Sequence, residues 1–262
     1  MSNEAEKRAM AQLEPGRARA EAGDRTGAEE ALSAAEAAAH DIHNQEKAAT
    51  FQKIAEALIG VGAIAKANAV LAAARRATKG MRDGWLKLIT CQSLAETLHR
   101  IGEVEKAKAT VTAARSVARR IALSVGDADS EYRSVAETQV RVGDLGGARK
   151  TTDKDIVGWY LRAEVWLLIA CARAMAGEIA EAEALVAAAE ALGEAERSKA
   201  SNEDELAYSD TDPAYEALAA AKLLAGDIAA AQAAAQKIEG TAARDRARHS
   251  IAVVRDGGPA HQ

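Results

Sequence analysis

His40 and His43 stand three residues apart, with Asp41 and Glu46 close by. On a helix that spacing puts two imidazoles on one face, where they could take up a metal ion. A catalytic zinc site needs three protein ligands, and no third joins them. The pair therefore reads as surface or packing histidines, and no metal is expected. Cys91 and Cys171 fall inside helical runs at core-facing or groove-lining positions, which suits inert thiols. The acidic run Glu203, Asp204, Glu205, Asp210 and Asp212 lacks the spacing and central glycine of a calcium loop. It reads as a solvated linker. Basic pairs at Arg75-Arg76 and Arg119-Arg120 are balanced by Glu on neighbouring helices, so no nucleic-acid partner is expected. There is no Gly-Lys-Ser/Thr phosphate loop, no Gly-x-Ser-x-Gly elbow and no dinucleotide fingerprint. These residues predict no enzyme and no cofactor.

The elements that carry them are helical. Of 262 residues, 48% are hydrophobic and 28% charged, while aromatics are 3%, with three prolines and two cysteines. That excludes a disulfide scaffold, a collagen-like or proline-rich chain and a chain disordered as a whole. Ala, Leu, Glu, Lys and Arg dominate, which favours helix almost everywhere. A net charge of -5 argues further against nucleic acid. Met1 to Met10 is charged and has no apolar signal core. The apolar stretch Val165 to Ala172 ends at Arg173, far short of the ~20 residues of a spanning helix. A cytoplasmic protein with no membrane partner is expected.

A repeat organises the helices. Ile54-Ala-Glu-Ala-Leu-Ile-Gly-Val-Gly62, Leu94-Ala-Glu-Thr-Leu-His-Arg-Ile-Gly102 and Val135-Ala-Glu-Thr-Gln-Val-Arg-Val-Gly143 align without gaps. Further copies end at Gly177 and Gly226, and a weaker first one at Gly23. The six glycines are 39, 40, 41, 34 and 49 residues apart. Five residues after each comes Ala: Ala28, Ala67, Ala107, Ala148, Ala182 and Ala231. Seven before each is Gly16 or an alanine (Ala55, Ala95, Ala136, Ala170, Ala219). Small residues at both places let two helices approach closely. Ile54, Leu94, Val135, Ile169 and Leu218, eight before, face the core. Eleven before stand Phe51, Tyr132, Trp166 and Tyr215, half of all the aromatics, which reads as a core column. Each glycine suits a turn between antiparallel helices. In Gly-Asp the acid favours the dipole of the next helix. Each copy is thus a hairpin, an A helix before the glycine and a B helix after it.

At these residues the chain resembles the tetratricopeptide repeat family. The family's later alanine matches Ala35, Ala74, Ala114 and Ala189, but is Asp155 and Ile238 in copies four and six. The family's closing proline is absent and most spacings exceed 34, so the B helices should run longer. The resemblance implies an all-α, right-handed α-solenoid of about six hairpins plus a C-terminal capping helix. It covers one domain over residues 1–256. Within it, the first repeat (1–43) is irregular, with Pro15-Gly16 breaking its A helix. Asn44, Asp83, and Asp127 or Asp129 would cap the second, third and fourth A helices. Gly80 and Gly126 would stop long B helices. An acidic loop fills about 198–212, with Asp212-Pro213 opening the next helix. Thr241 to Val254 closes the array, and residues 257–262 form a disordered tail.

In such repeats the A-helix positions ten, six, three and two before the glycine usually face the concave surface. Here they are polar first: Gln52 and Glu56; Gln92, Glu96, His99 and Arg100; Arg133, Glu137 and Arg141. Then they turn apolar, with Leu167, Cys171 and Met175, followed by Leu223 and Leu224. A contiguous apolar patch left to water would be unusual, so it either meets a partner or is closed by intramolecular packing. The expected function is a non-catalytic scaffold binding a protein or peptide segment in the groove. Arginines would engage carboxylates, glutamines would bond peptide groups and leucines would seat an apolar anchor. The alternative is a building block that self-associates through its apolar C-terminal half into a homo-oligomer.

Overall fold

The computed structural model describes residues 4–43, 45–82, 84–197, 212–224 and 226–255. Among them there is no strand. The elements are α1 (Glu4–Glu21), α2 (Arg25–His40), α3 (Glu46–Gly60), α4 (Ile64–Gly80), α5 (Trp85–Arg100) and α6 (Val104–Val125). Then come α7 (Asp129–Arg141), α8 (Leu145–Asp155), α9 (Trp159–Met175), α10 (Ile179–Arg197), α11 (Asp212–Leu224), α12 (Ile228–Gln236) and α13 (Thr241–Arg255). They form two compact units, Met1–Ala128 and Asp129–Gln262. The expected caps Asn44 and Asp83, most of the acidic loop and the tail lie outside the described residues.

The hairpins close where the glycine column sits. All six column glycines have φ between 74° and 82°, a left-handed conformation that any side chain would strain. In the turn between α3 and α4, Gly62 N–H donates to the Ile59 carbonyl and Ala63 N–H to that of Leu58, both at 2.9 Å. This is the Schellman arrangement, which satisfies carbonyls the helix end leaves open. The second of these, reaching back five residues, recurs in the other five turns, for example Glu103 to Leu98 and Asp144 to Gln139. Asp24, Asp144 and Asp227 do more than favour a dipole. Each caps the following helix by accepting from Gly27, Gly147 or Ala230 N–H at 2.9 to 3.0 Å.

Beyond the turn, the small-residue columns are where the helices meet. Ala28, Ala67, Ala107, Ala148, Ala182 and Ala231 are all fully buried, at 0% exposure. Ile54, Leu94, Val135 and Ile169 fill the space beside them, also at 0%. Within each unit an A helix packs on its own B helix and on the next A helix, as in α1 on α3, α3 on α5, α7 on α9 and α9 on α11. The B helices join in by packing on the following A helix, and α13 packs on α11 and α12.

Four local expectations change. First, α1 runs unbroken from Glu4 to Glu21 through Pro15. An interior proline costs ~3 kcal/mol, but the adjoining Gly16 is where α2 comes closest. A Cβ there would lie 2.9 Å from the Leu32 side chain, and that packing carries the helix past the proline. Second, Phe51, Tyr132 and Tyr215 are buried, whereas Trp166 is half-buried. Val165, Leu167 and Ile169 fill the interior of α9. The indole lies along α8, donating from Nε1 to Asp153 at 2.8 Å, with the Arg149 guanidinium 4.9 Å over its ring. Third, α4, α6 and α10 are long at 17, 22 and 19 residues, but α8 and α12 have only 11 and 9. The short α8 accounts for the one 34-residue spacing. Fourth, Gly126 ends α6 with φ 84°, while at Gly80 the chain leaves α4 through an extended Met81.

Asp129 and Asp212 have a role beyond their own helix starts. Asp129 accepts from the Val157 and Gly158 N–H groups at 3.0 and 2.5 Å, just ahead of α9. Asp212 accepts from Glu239 and Gly240 N–H, both at 2.6 Å, just ahead of α13. Each acid opens one A helix and holds the entry to the next helix stacked on it. The two occupy the same column, fourteen before Gly143 and Gly226. A Cβ on Gly240 would come 2.6 Å from the Asp212 carboxylate, so glycine is what lets the acid approach.

Two substitutions test this packing in chemical denaturation. Ala107→Leu should destabilise by about 1–3 kcal/mol through overpacking, while the same change at exposed Ala109 should leave the midpoint in place. Asp129→Ala should cost about 1.5–3 kcal/mol, the range for hydrogen bonds to a charged group. An unchanged midpoint would show that the bracket contributes nothing.

Candidate functional site

Within each unit the A helices stack on one another, so their outward columns form one face. In unit 1 that face is α3 beside α5. Gln52 and Gln92 are buried, Glu56, Glu96 and His99 half-buried, and Arg100 exposed. The burial pattern repeats residue for residue between the two helices. Gln52 Nε2 donates to Glu56 Oε1 at 3.0 Å and to Ser93 Oγ on α5. Thr97 Oγ1 donates to Glu56 at 3.3 Å, and Arg100 approaches the same carboxylate at 4.0 Å. Gln52 therefore ties one repeat to the next rather than facing a ligand. His99 Nδ1 is buried without a hydrogen-bond partner.

Unit 2 builds its face in the same way. Arg133 Nε lies 2.9 Å from Glu137, and its Nη2 donates at 3.0 Å to Glu164 on α9. Arg141 donates to Thr138 Oγ1 at 3.0 Å and lies 4.0 Å from Glu137. Pairs this exposed are worth about 0–1 kcal/mol each, so they set geometry more than stability. Of the apolar set, Leu167 is in the interior at 5% exposure, Cys171 and Leu223 are half-buried, and Met175 is 75% exposed. The Leu224 side chain lies outside the described residues.

Ser93, Thr97, Thr138 and Glu164 complete these networks and were not singled out by the groove columns. Two of them had a signal. The column five before the glycine reads Ala57, Thr97, Thr138, Ala172 and Ala221. Threonine among buried alanines needs a hydrogen-bond partner, and both threonines find one.

A few titrating groups are shifted by burial or by hydrogen bonds. Burial pushes the Cys171 thiol up to about 11, which leaves it protonated and poorly nucleophilic at neutral pH. Burial, with the Glu190 carboxylate that accepts its O–H, also raises the Tyr215 phenol. Hydrogen bonds from Lys66 and Arg25 hold Glu29 below the usual carboxylate range, and Lys106 and Asn68 do the same for Glu103. His40 and His43 do not converge with a third ligand. Among the described residues no three His, Cys, Asp or Glu gather as a metal site would require. Nor is any described helix long and apolar enough to cross a membrane. The outermost column of the A face, two residues before the glycine, is left to solvent: Arg100 in unit 1, Arg141 and Met175 in unit 2.

No family model matches the chain, and no curated protein matches it. Among solved structures, a tetratricopeptide repeat protein from Parabacteroides merdae is similar to it. The two are 16% identical over 95% of this chain and 88% of that one, with a TM-score of 0.43.

Proposed function

We propose that the protein is a non-catalytic scaffold that binds a protein or peptide segment on the A-helix faces of its helical repeats. The observation that supports this is the division of labour within each face. Side chains ten or six before the glycine are spent on contacts between repeats, Gln52 with Ser93, Glu56 with Thr97 and Arg133 with Glu164, while Glu137 braces Arg133 within α7. The column two before it keeps Arg100 and Arg141 more than half exposed, each with its glutamate only at 4.0 Å. Guanidinium groups on a fixed backbone suit paired hydrogen bonds to carboxylates. Met175 adds an adaptable apolar contact. The partner would carry acidic residues with an apolar one nearby.

A second reading, self-assembly, has its own support in unit 2. Val157, Tyr160 and Leu168 are 81%, 47% and 39% exposed there, and apolar side chains of that size favour a contact between copies.

An Arg100→Ala, Arg141→Ala, Met175→Asp variant tests the scaffold. Its helicity and melting should stay near wild type, since surface changes usually lie within about 0.5 kcal/mol each. It should lose the partner that wild type retains in affinity capture, and added salt should weaken the wild-type complex. Equal capture by the variant would remove this face as the working surface. Self-assembly predicts instead a mass that rises with concentration in light scattering and falls in Leu223→Asp.

A further inference from the structure

Away from the A-helix faces, unit 1 holds a cleft of about 820 Å³. It lies at the open end of the second hairpin, opposite the Gly62 turn. The α2–α3 connection, the first turn of α3 and the last turn of α4 enclose it. We propose that this cleft binds a small organic anion, a phosphate or carboxylate head carried on an apolar body.

The volume falls in the range of small-molecule sites, about 300–1,000 Å³. Its floor is apolar: Ile42, Phe51, Ala73 and Met81 line it and are 0%, 1%, 7% and 7% exposed. Its rim is cationic. Lys47, Arg76 and Arg82 supply its charge, with the His40 and His43 rings beside them, and Glu46 is the one carboxylate among the lining residues. Lys47 is fixed across the mouth, with Nζ donating to the His40 carbonyl at 2.7 Å, and the His40 ring stands edge-on to Phe51 at 5.0 Å. Arg76 and Arg82 have no salt bridge and no hydrogen-bonded carboxylate among the described residues. Two unmatched guanidinium groups over an apolar floor form a complement to an anion with a hydrophobic body.

A plainer account would have these arginines serve the negative end of α4. Arg76 stands just before the last turn, whose basic residue is Lys79. Nor does that account cover Arg82, which lies past the helix end at Gly80 and still lines the cleft.

Amide chemical-shift titrations of the full chain test the site, with phenyl phosphate and phenylacetate as anions and benzyl alcohol as the neutral analogue. At least one anion should move the amides of residues 40–43, 45–51 and 73–82, and should bind about tenfold or more tighter than benzyl alcohol. The tighter of the two identifies the head group. Arg76→Gln with Arg82→Gln should weaken that anion about tenfold or more, with the helical circular dichroism retained. Ala77→Leu leaves both arginines and fills the half-buried floor position, and should weaken it as well. The proposal is overturned if neither anion moves these amides at millimolar concentration, or if benzyl alcohol binds equally well. It is also overturned if both variants bind the anion as wild type does.

Discussion

Helices joined by a turn as short as these can lie side by side only where neither presents a bulky side chain to the other. That steric condition governs every hairpin in the protein. The B helix meets it with the alanine five past the glycine, buried to 0% in all six copies. The A helix meets it with Gly16, Ala55, Ala95, Ala136, Ala170 or Ala219. The same closeness forces the chain to reverse within a residue or two, which needs a left-handed residue and the Schellman bonds that follow from it. Once the pair is closed, the branched residue eight before the glycine has one place to go, between its own B helix and the neighbouring A helix. Turn, crossing and core are therefore one constraint expressed at three positions.

That is also why so much of the fold was legible in the sequence. A condition repeated six times leaves a column, and a column is visible without coordinates. What stayed hidden were features whose cause is not periodic. Pro15 reads as a helix breaker until Gly16 is seen pressed against Leu32. Trp166 occupies an aromatic column, yet its N–H makes a partner more important than depth, and Asp153 on α8 supplies one. The bracket from Asp129 to the Gly158 amide spans residues far apart in the chain. It joins an acid in one repeat to glycine in the next, a pair that no single-repeat alignment brings together.

The A face illustrates a related limit. Its columns are correctly ordered by sequence, but exposure within them is decided by what neighbouring repeats demand. Gln52 is polar and sits ten before a glycine, as a ligand contact would. Its amide is nevertheless taken by Glu56 and by Ser93 of the next repeat. Leu167 holds the same column in α9, where it is part of the interior at 5% exposure. A polar residue and an apolar residue thus reach the same seam between stacked helices, one satisfied by hydrogen bonds and the other by packing.

This arrangement has a consequence for recognition. Arg133, held by Glu137 and Glu164, loses its rotamer freedom on folding rather than on binding. The cost of ordering long side chains at an interface runs to about 0.5–1.5 kcal/mol apiece. Where neighbouring carboxylates have already met that cost, a ligand encounters a face of set shape and charge. Arg100 and Arg141 stand one helical turn further along, their guanidinium groups 4.0 Å from Glu56 and Glu137 and their side chains more than half exposed. In the proposed scaffold the two tasks are separated along each A helix, the inner columns fixing the stack and the outer column left for a partner.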